Sequence, residues 1–129
     1  MSAAQALETE EISCADARVA VRAAMAEAGR ELPRDRAGQL GEDALLVVSE
    51  LVTNALVHAG GVTRLEVDVA DGEFRLRVSD ASRTAPQRVR TRKGSPGGYG
   101  LVVIERLCSR MDVEIGPEGK TVTAALSLR

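Results

Sequence analysis

The chain has 129 residues, a formal net charge of −2, 44% hydrophobic and 28% charged residues, and no tryptophan. That length carries one domain with a sizeable core, and the near-neutral charge supplies no global field for nucleic acid or an anionic membrane. Phe74 and Tyr99 are the only aromatics, so the core must be aliphatic, and their scarcity argues against a base-stacking platform for single strands.

Residues 1–12 are polar and alanine-rich and read as either a disordered lead-in or a short edge strand. They hold no apolar signal core, and no run in the chain reaches membrane-spanning length. Cys14 and Cys108 stand in unrelated contexts, so they read as free thiols of a reducing cytoplasm. With His58 as the single histidine, a zinc site is not expected.

Ser13 or Asp16 can cap a helix running to about Ala28, with Gly29 as its stop and Val19, Ala20, Ala23, Ala24 and Met25 as its apolar side. Residues 31–41 contain Pro33, Gly38 and several charges and read as a linker. Residues 43–61, DALLVVSELVTNALVHAGG, have no glycine or proline before their end and predict a helix. Leu45, Val48, Val52, Ala55, Leu56 and Ala59 form one stripe, and Leu46, Val47, Leu51 and Val57 cover most of the remaining circumference, which predicts burial nearly all round. Glu50, Asn54 and His58 interrupt this helix at a spacing of four. A line of carboxylate, amide and imidazole on a buried helix marks either a site or a solvated face.

Gly60-Gly61 ends the helix. Residues 62–70 alternate with Leu65, Val67 and Val69 on one face. Asp71-Gly72 is a hairpin signal, and Phe74, Leu76 and Val78 alternate in a returning strand that ends at Asp80. Residues 81–99 are rich in Arg, Lys, Ser, Pro and Gly and read as a mobile functional loop. Gly100 opens a helix with Leu101, Ile104, Leu107 and Cys108 inward. A short strand follows at residues 112–115, then a turn at 116–119. A last strand over 120–128 has Val122, Ala124, Leu126 and Leu128 on one face. The class is α+β in a single domain, a sheet with helices on one face.

Several of these features can carry chemistry. Gly97-Gly98-Tyr99-Gly100 leads into a helix whose free N–H groups favour an anion, and Arg88, Arg90, Arg92 and Lys93 precede it: a phosphate cradle with a lid, or a flexible surface loop. Asn54 offers an oxygen to Mg2+, and Glu50 could take a proton from a hydroxyl that attacks a phosphoryl group. Asp80 could accept from a buried amino group or cap a turn. His58 suits a cap at the helix C-terminus.

Taken in order, SELVTNALVHAG, VSDAS, GGYGLVVIERL and GKTVTAAL resemble the GHKL (histidine-kinase-like) ATPase family, and within it the single-domain anti-sigma factor serine kinases of bacteria. The resemblance covers residues 41–128. It implies a two-layer Bergerat-type α/β sandwich with a mixed, mostly antiparallel sheet and helices packed on one face. It implies ATP and Mg2+ as cofactors, with Asn54 as the magnesium ligand and Glu50 as general base. Asp80 would bind the adenine amino group and Thr121 would sit beside it. Gly98, Gly100 and the N–H of Leu101 would line the triphosphate, and residues 81–99, with Arg92 and Lys93, would be the ATP lid. It further implies a cytoplasmic homodimer that phosphorylates an anti-sigma antagonist and otherwise holds a sigma factor, with no direct nucleic acid and no membrane.

The family's adenine motif reads Asp-x-Gly-x-Gly. Here Asp80-Ala81-Ser82-Arg83-Thr84 lacks both glycines, which leaves a nucleotide-binding or nucleotide-free partner-binding module without kinase activity as the alternative. A detached histidine-kinase ATPase domain is a third reading. It is disfavoured because the short chain carries no dimerisation and phospho-acceptor helix.

Overall fold

The computed structural model describes residues 5–7, 12–84 and 100–129. In chain order these form strand β1 (Gln5–Leu7), helix α1 (Cys14–Ala28), a 3-10 turn (Gly29–Glu31), helix α2 (Arg34–His58), strands β2 (Val62–Ala70) and β3 (Glu73–Asp80), helix α3 (Gly100–Leu107), and strands β4 (Arg110–Gly116) and β5 (Gly119–Ser127).

Helix α1 starts where its capping residues dictate. The Ser13 hydroxyl accepts from the Asp16 N–H at 3.0 Å, and the Asp16 carboxylate accepts from the Ser13 N–H at 3.1 Å. Two otherwise orphaned donors are thus satisfied reciprocally. Its buried residues are Ala17, Ala20, Val21, Ala24 and Met25. The expected apolar side is therefore rotated: Val21 is inside, Ala23 is exposed, and Val19 is 64% exposed. The spacing allowed either stripe, and packing against α2 selected one.

Helix α2 is longer than its sequence pattern. It begins at Arg34, directly after Pro33, so residues 34–41 are helix and not a linker. Pro33 has φ −54°, and proline's fixed φ suits a helix start. The expected cost of Gly38 and Gly41 is overridden by tertiary contact: Leu40 is buried, and a side-chain carbon on Gly41 would meet Met25 Cγ at 3.5 Å. Leu40, Ala44, Val47, Val48, Leu51, Val52 and Ala55 form the buried face. Burial all round does not hold, since Leu46, Leu56 and Val57 are about half exposed. The helix ends with the Gly61 N–H on the Ala55 carbonyl at 2.9 Å, with Gly60 at φ 76°.

The sheet runs β1-β2-β3-β5-β4, and every ladder is antiparallel. The mixed sheet implied by the resemblance thus has no parallel pair among the described residues. β1 is the edge strand expected as one option for the first twelve residues, pairing Gln5 with Val67. Asp71 and Gly72 make the β2–β3 turn, both with positive φ.

Alternation sends Leu65, Val67, Phe74, Leu76, Val78, Val122, Ala124 and Leu126 to the helix side, where all are buried. Fully burying side chains of this size contributes about 1.5–3 kcal/mol each, so this seam with α1, α2 and Ile104 of α3 dominates stability. The opposite face is polar. Asp68 takes Arg75 and Arg77 at 3.1 and 3.3 Å, and Arg110 takes Glu73 at 3.0 Å and also Asp112. Such solvent-screened pairs add little beside the apolar seam.

Candidate functional site

Register fixes what the sheet presents to the helices. Val62 pairs with Asp80, Asp80 with Lys120, and Lys120 with Ile115. Directly opposed residues share a face, and the parity of Val78 and Val122 puts this row on the helix side. Val62 follows the end of α2 by four residues, so the C-terminal end of that helix and this row lie at the same end of the sheet. Ile115 in the row is 49% exposed.

Asp80 is 5% exposed and Lys120 9%. The Lys120 ammonium donates to Oδ1 at 3.0 Å and forms an ion pair with Oδ2 at 2.9 Å, and the Ser82 N–H donates to Oδ1 at 2.8 Å. Asp80 therefore caps the following turn and holds a buried cation at once.

Gly119 makes this pairing possible. Its φ is 145°, and a side-chain carbon there would lie 1.9 Å from the Asp80 carbonyl oxygen. Only glycine lets the start of β5 approach the end of β3 so closely.

Thr121 is one residue out of phase with this row. It pairs with Ser79, and the two hydroxyls are 2.8 Å apart on the opposite face. The residue beside Asp80 is Lys120, not Thr121, because side chains alternate along a strand. Sequence reasoning missed Lys120, although the alternation that buried Val122, Ala124 and Leu126 already put it inward.

On α2, Glu50 and Asn54 are both half-buried, one turn apart, at the margin of the buried face. The Asn54 amide oxygen is enclosed and has no hydrogen-bond partner among the described residues. A buried acceptor left unmade costs about 1–3 kcal/mol, so this oxygen is set to receive a donor or a cation. His58, the third polar residue of the line, is exposed in the last helical turn. Ile104 anchors α3 in the core, and Leu107 and Cys108 are half-buried beside it. Burial, reinforced by Asp43, pushes the Cys108 thiol up to about 11, so it is a packing group and not a nucleophile.

The expected triphosphate cradle is only partly visible. Gly100 and the backbone of Leu101 open α3. Gly98, Arg92, Lys93 and most of the expected lid fall within 85–99, outside the described residues. Among the described residues no cluster of three His, Cys, Asp or Glu side chains could hold a metal, and no helix is long and apolar enough to cross a membrane.

A family model described as a histidine kinase-like ATPase domain matches residues 7–126. The chain belongs to this family. Among solved structures, the fold is similar to that of the RsbU and RsbW domains of Rv1364c from Mycobacterium tuberculosis. There the TM-score is 0.66 and the identity 21%, over 96% of this chain and 31% of that one. It is also similar to the histidine kinase domain of the blue-light activated histidine kinase from Erythrobacter litoralis EL346. That match has a TM-score of 0.50 and 24% identity over 86% of this chain and 60% of the other. This chain thus spans less than two thirds of either neighbour's length. No curated protein matches significantly.

Histidine kinase-like ATPase domains imply nucleotide, and the two ends of the site differ in how they fit one. The unpartnered Asn54 oxygen fits a cation of oxygen-ligand chemistry such as Mg2+. The Asp80 end does not fit a base amino group as it stands. A hydrogen bond from a neutral amino group to a carboxylate contributes about 1.5–3 kcal/mol, whereas stripping one partner from a buried ion pair costs about 3–5 kcal/mol. The internal lysine wins that competition.

Proposed function

We propose that the chain is an ATP- and Mg2+-dependent regulatory serine kinase of the anti-sigma type. The reading rests on the family membership together with one observation: the enclosed, unpartnered Asn54 oxygen one turn beyond Glu50 on the same helix. Asn54 would hold the metal, whose charge would neutralise the phosphate oxygens. Glu50 would accept the proton of a partner serine hydroxyl as it attacks. The N–H groups at the start of α3, with Gly98 and Gly100, would face the phosphates, and Arg92 and Lys93 would belong to the lid.

The partners that go with this reading are an anti-sigma antagonist as phosphoryl acceptor and a sigma factor held in its absence, in a cytoplasmic homodimer. It is tested by titrating ATP with Mg2+ while following heat and melting temperature. The Glu50→Ala variant is then assayed for phosphate transfer to a candidate antagonist. Saturable binding with transfer lost in the variant supports the reading; unchanged transfer removes Glu50 as base.

A second reading is a partner-binding module that does not transfer phosphate. The buried Asp80–Lys120 pair favours it, because it satisfies the expected adenine contact from within. Absence of any response to ATP with Mg2+ at millimolar concentration would select this reading.

A further inference from the structure

We infer that Lys120 is a built-in occupant of the base-amino position, and that it sets the base selectivity of this site. The inference rests on the nucleotide-binding reading above and concerns only the base end of the ligand.

Three observations carry it. Lys120 and Asp80 are opposed in register on the helix side of the sheet, both nearly buried, with the ammonium bridging both carboxylate oxygens. The Ser82 N–H holds Oδ1 from the other side, so two donors already make three contacts with a carboxylate of about four acceptor positions, and the side chain that carries it is only 4% exposed. Gly119 locks the strand start against the Asp80 backbone, which fixes the lysine stem where it is. An exocyclic amino group offers one neutral donor for a place already filled by a charged one. A nucleotide entering this site is therefore held by its phosphates and metal, and the amino group of its base goes unread. The half-exposed Ile115 beside Lys120 gives the ring an apolar surface that is indifferent to that group.

The site is thus a triphosphate site with weak base discrimination. Shortening Lys120 to a neutral side chain frees the carboxylate to read an amino-bearing purine. The test is isothermal titration, with Mg2+, of three probes: ATP, the triphosphate of purine riboside (which lacks only the exocyclic amino group), and inorganic triphosphate. Each is titrated into the native chain and into Lys120→Thr.

In the native chain ATP and the purine riboside analogue are expected to bind within about threefold of each other; in Lys120→Thr ATP is expected to bind about tenfold tighter than in the native chain and about tenfold tighter than the analogue. Inorganic triphosphate should bind both proteins alike. If Lys120→Thr does not fold, Asp80→Asn/Lys120→Thr carries the same expectation, since it buries no charge and its amide oxygen still accepts from the amino group. A native chain that already prefers ATP over the analogue by about tenfold overturns the inference while leaving nucleotide binding intact. A native chain and variant that bind none of the three probes overturn the inference and the nucleotide-binding reading together.

Discussion

Lys120 bridges both carboxylate oxygens of Asp80 across the β3–β5 ladder, and each side chain is less than one-tenth exposed. A pair this enclosed is held in place less by its own attraction than by the cost of removing either member. Lys120→Ala leaves an unpaired buried carboxylate and should lower unfolding free energy by about 3–5 kcal/mol. Lys120→Met/Asp80→Leu, which removes both charges, should recover most of that loss. Urea unfolding followed by circular dichroism measures both; a single variant as stable as the native chain would show that the pair is not buried in solution.

Gly119 should tolerate no side chain. A methyl group there would overlap the Asp80 carbonyl, and φ 145° is a conformation almost confined to glycine. Gly119→Ala is expected to cost about 2–4 kcal/mol through strain and displacement of the β5 start. By contrast Gly38→Ala, in the helix and facing open space, should be neutral or stabilising by up to about 1 kcal/mol. The same urea titration applied to both separates close approach from ordinary glycine entropy.

Asn54 should trade stability for binding. Its enclosed oxygen has no partner among the described residues, so Asn54→Leu is expected to raise unfolding free energy by about 1–3 kcal/mol in the absence of ligand. The same variant should lose the melting-temperature increase that Mg2+ with ATP is expected to give the native chain. Thermal melts with and without Mg2+ check both. A large loss of stability without ligand would mean that the amide is a structural hydrogen-bonding group.

Acid stability should depend on two surface carboxylates. Hydrogen bonds from the Ser13 backbone and then its hydroxyl hold the Asp16 carboxyl below its ordinary value of 3.8, and the Arg110 hydrogen bond holds Glu73 below 4.5. A carboxylate whose folded value is depressed contributes stability that is present above its unfolded value and lost as pH falls through the folded one. Unfolding midpoints of the native chain should therefore fall as pH drops below these ordinary values. Asp16→Asn and Glu73→Gln should each flatten that limb, as equilibrium unfolding across the acid range would record. Removing the cap itself, in Ser13→Ala, should cost about 1 kcal/mol at neutral pH.

Local order of the chain was legible wherever the physics is local. The Ser13–Asp16 cap, the Asp71-Gly72 hairpin, the alternation of β2, β3 and β5, and the line Glu50–Asn54–His58 all follow from spacing and residue type. Four motifs in order carried the family resemblance, and a family model over residues 7–126 bears it out.

Contacts between distant segments decided the rest. Helix α2 starts at Arg34, nine residues before its expected start at Asp43, because α1 packs on it; no local propensity would extend a helix through Gly38 and Gly41. Val21 displaced Val19 from the interior for the same reason. Alternation alone set Lys120 inward and Thr121 outward, but only the antiparallel register brought Lys120 opposite Asp80, forty residues earlier. An ion pair forms between atoms, not positions in a sequence. The sequence by itself named the family and the helix on which Glu50 and Asn54 stand, and the tertiary structure decided that Lys120 lies against the Asp80 carboxylate, where a base amino group was expected.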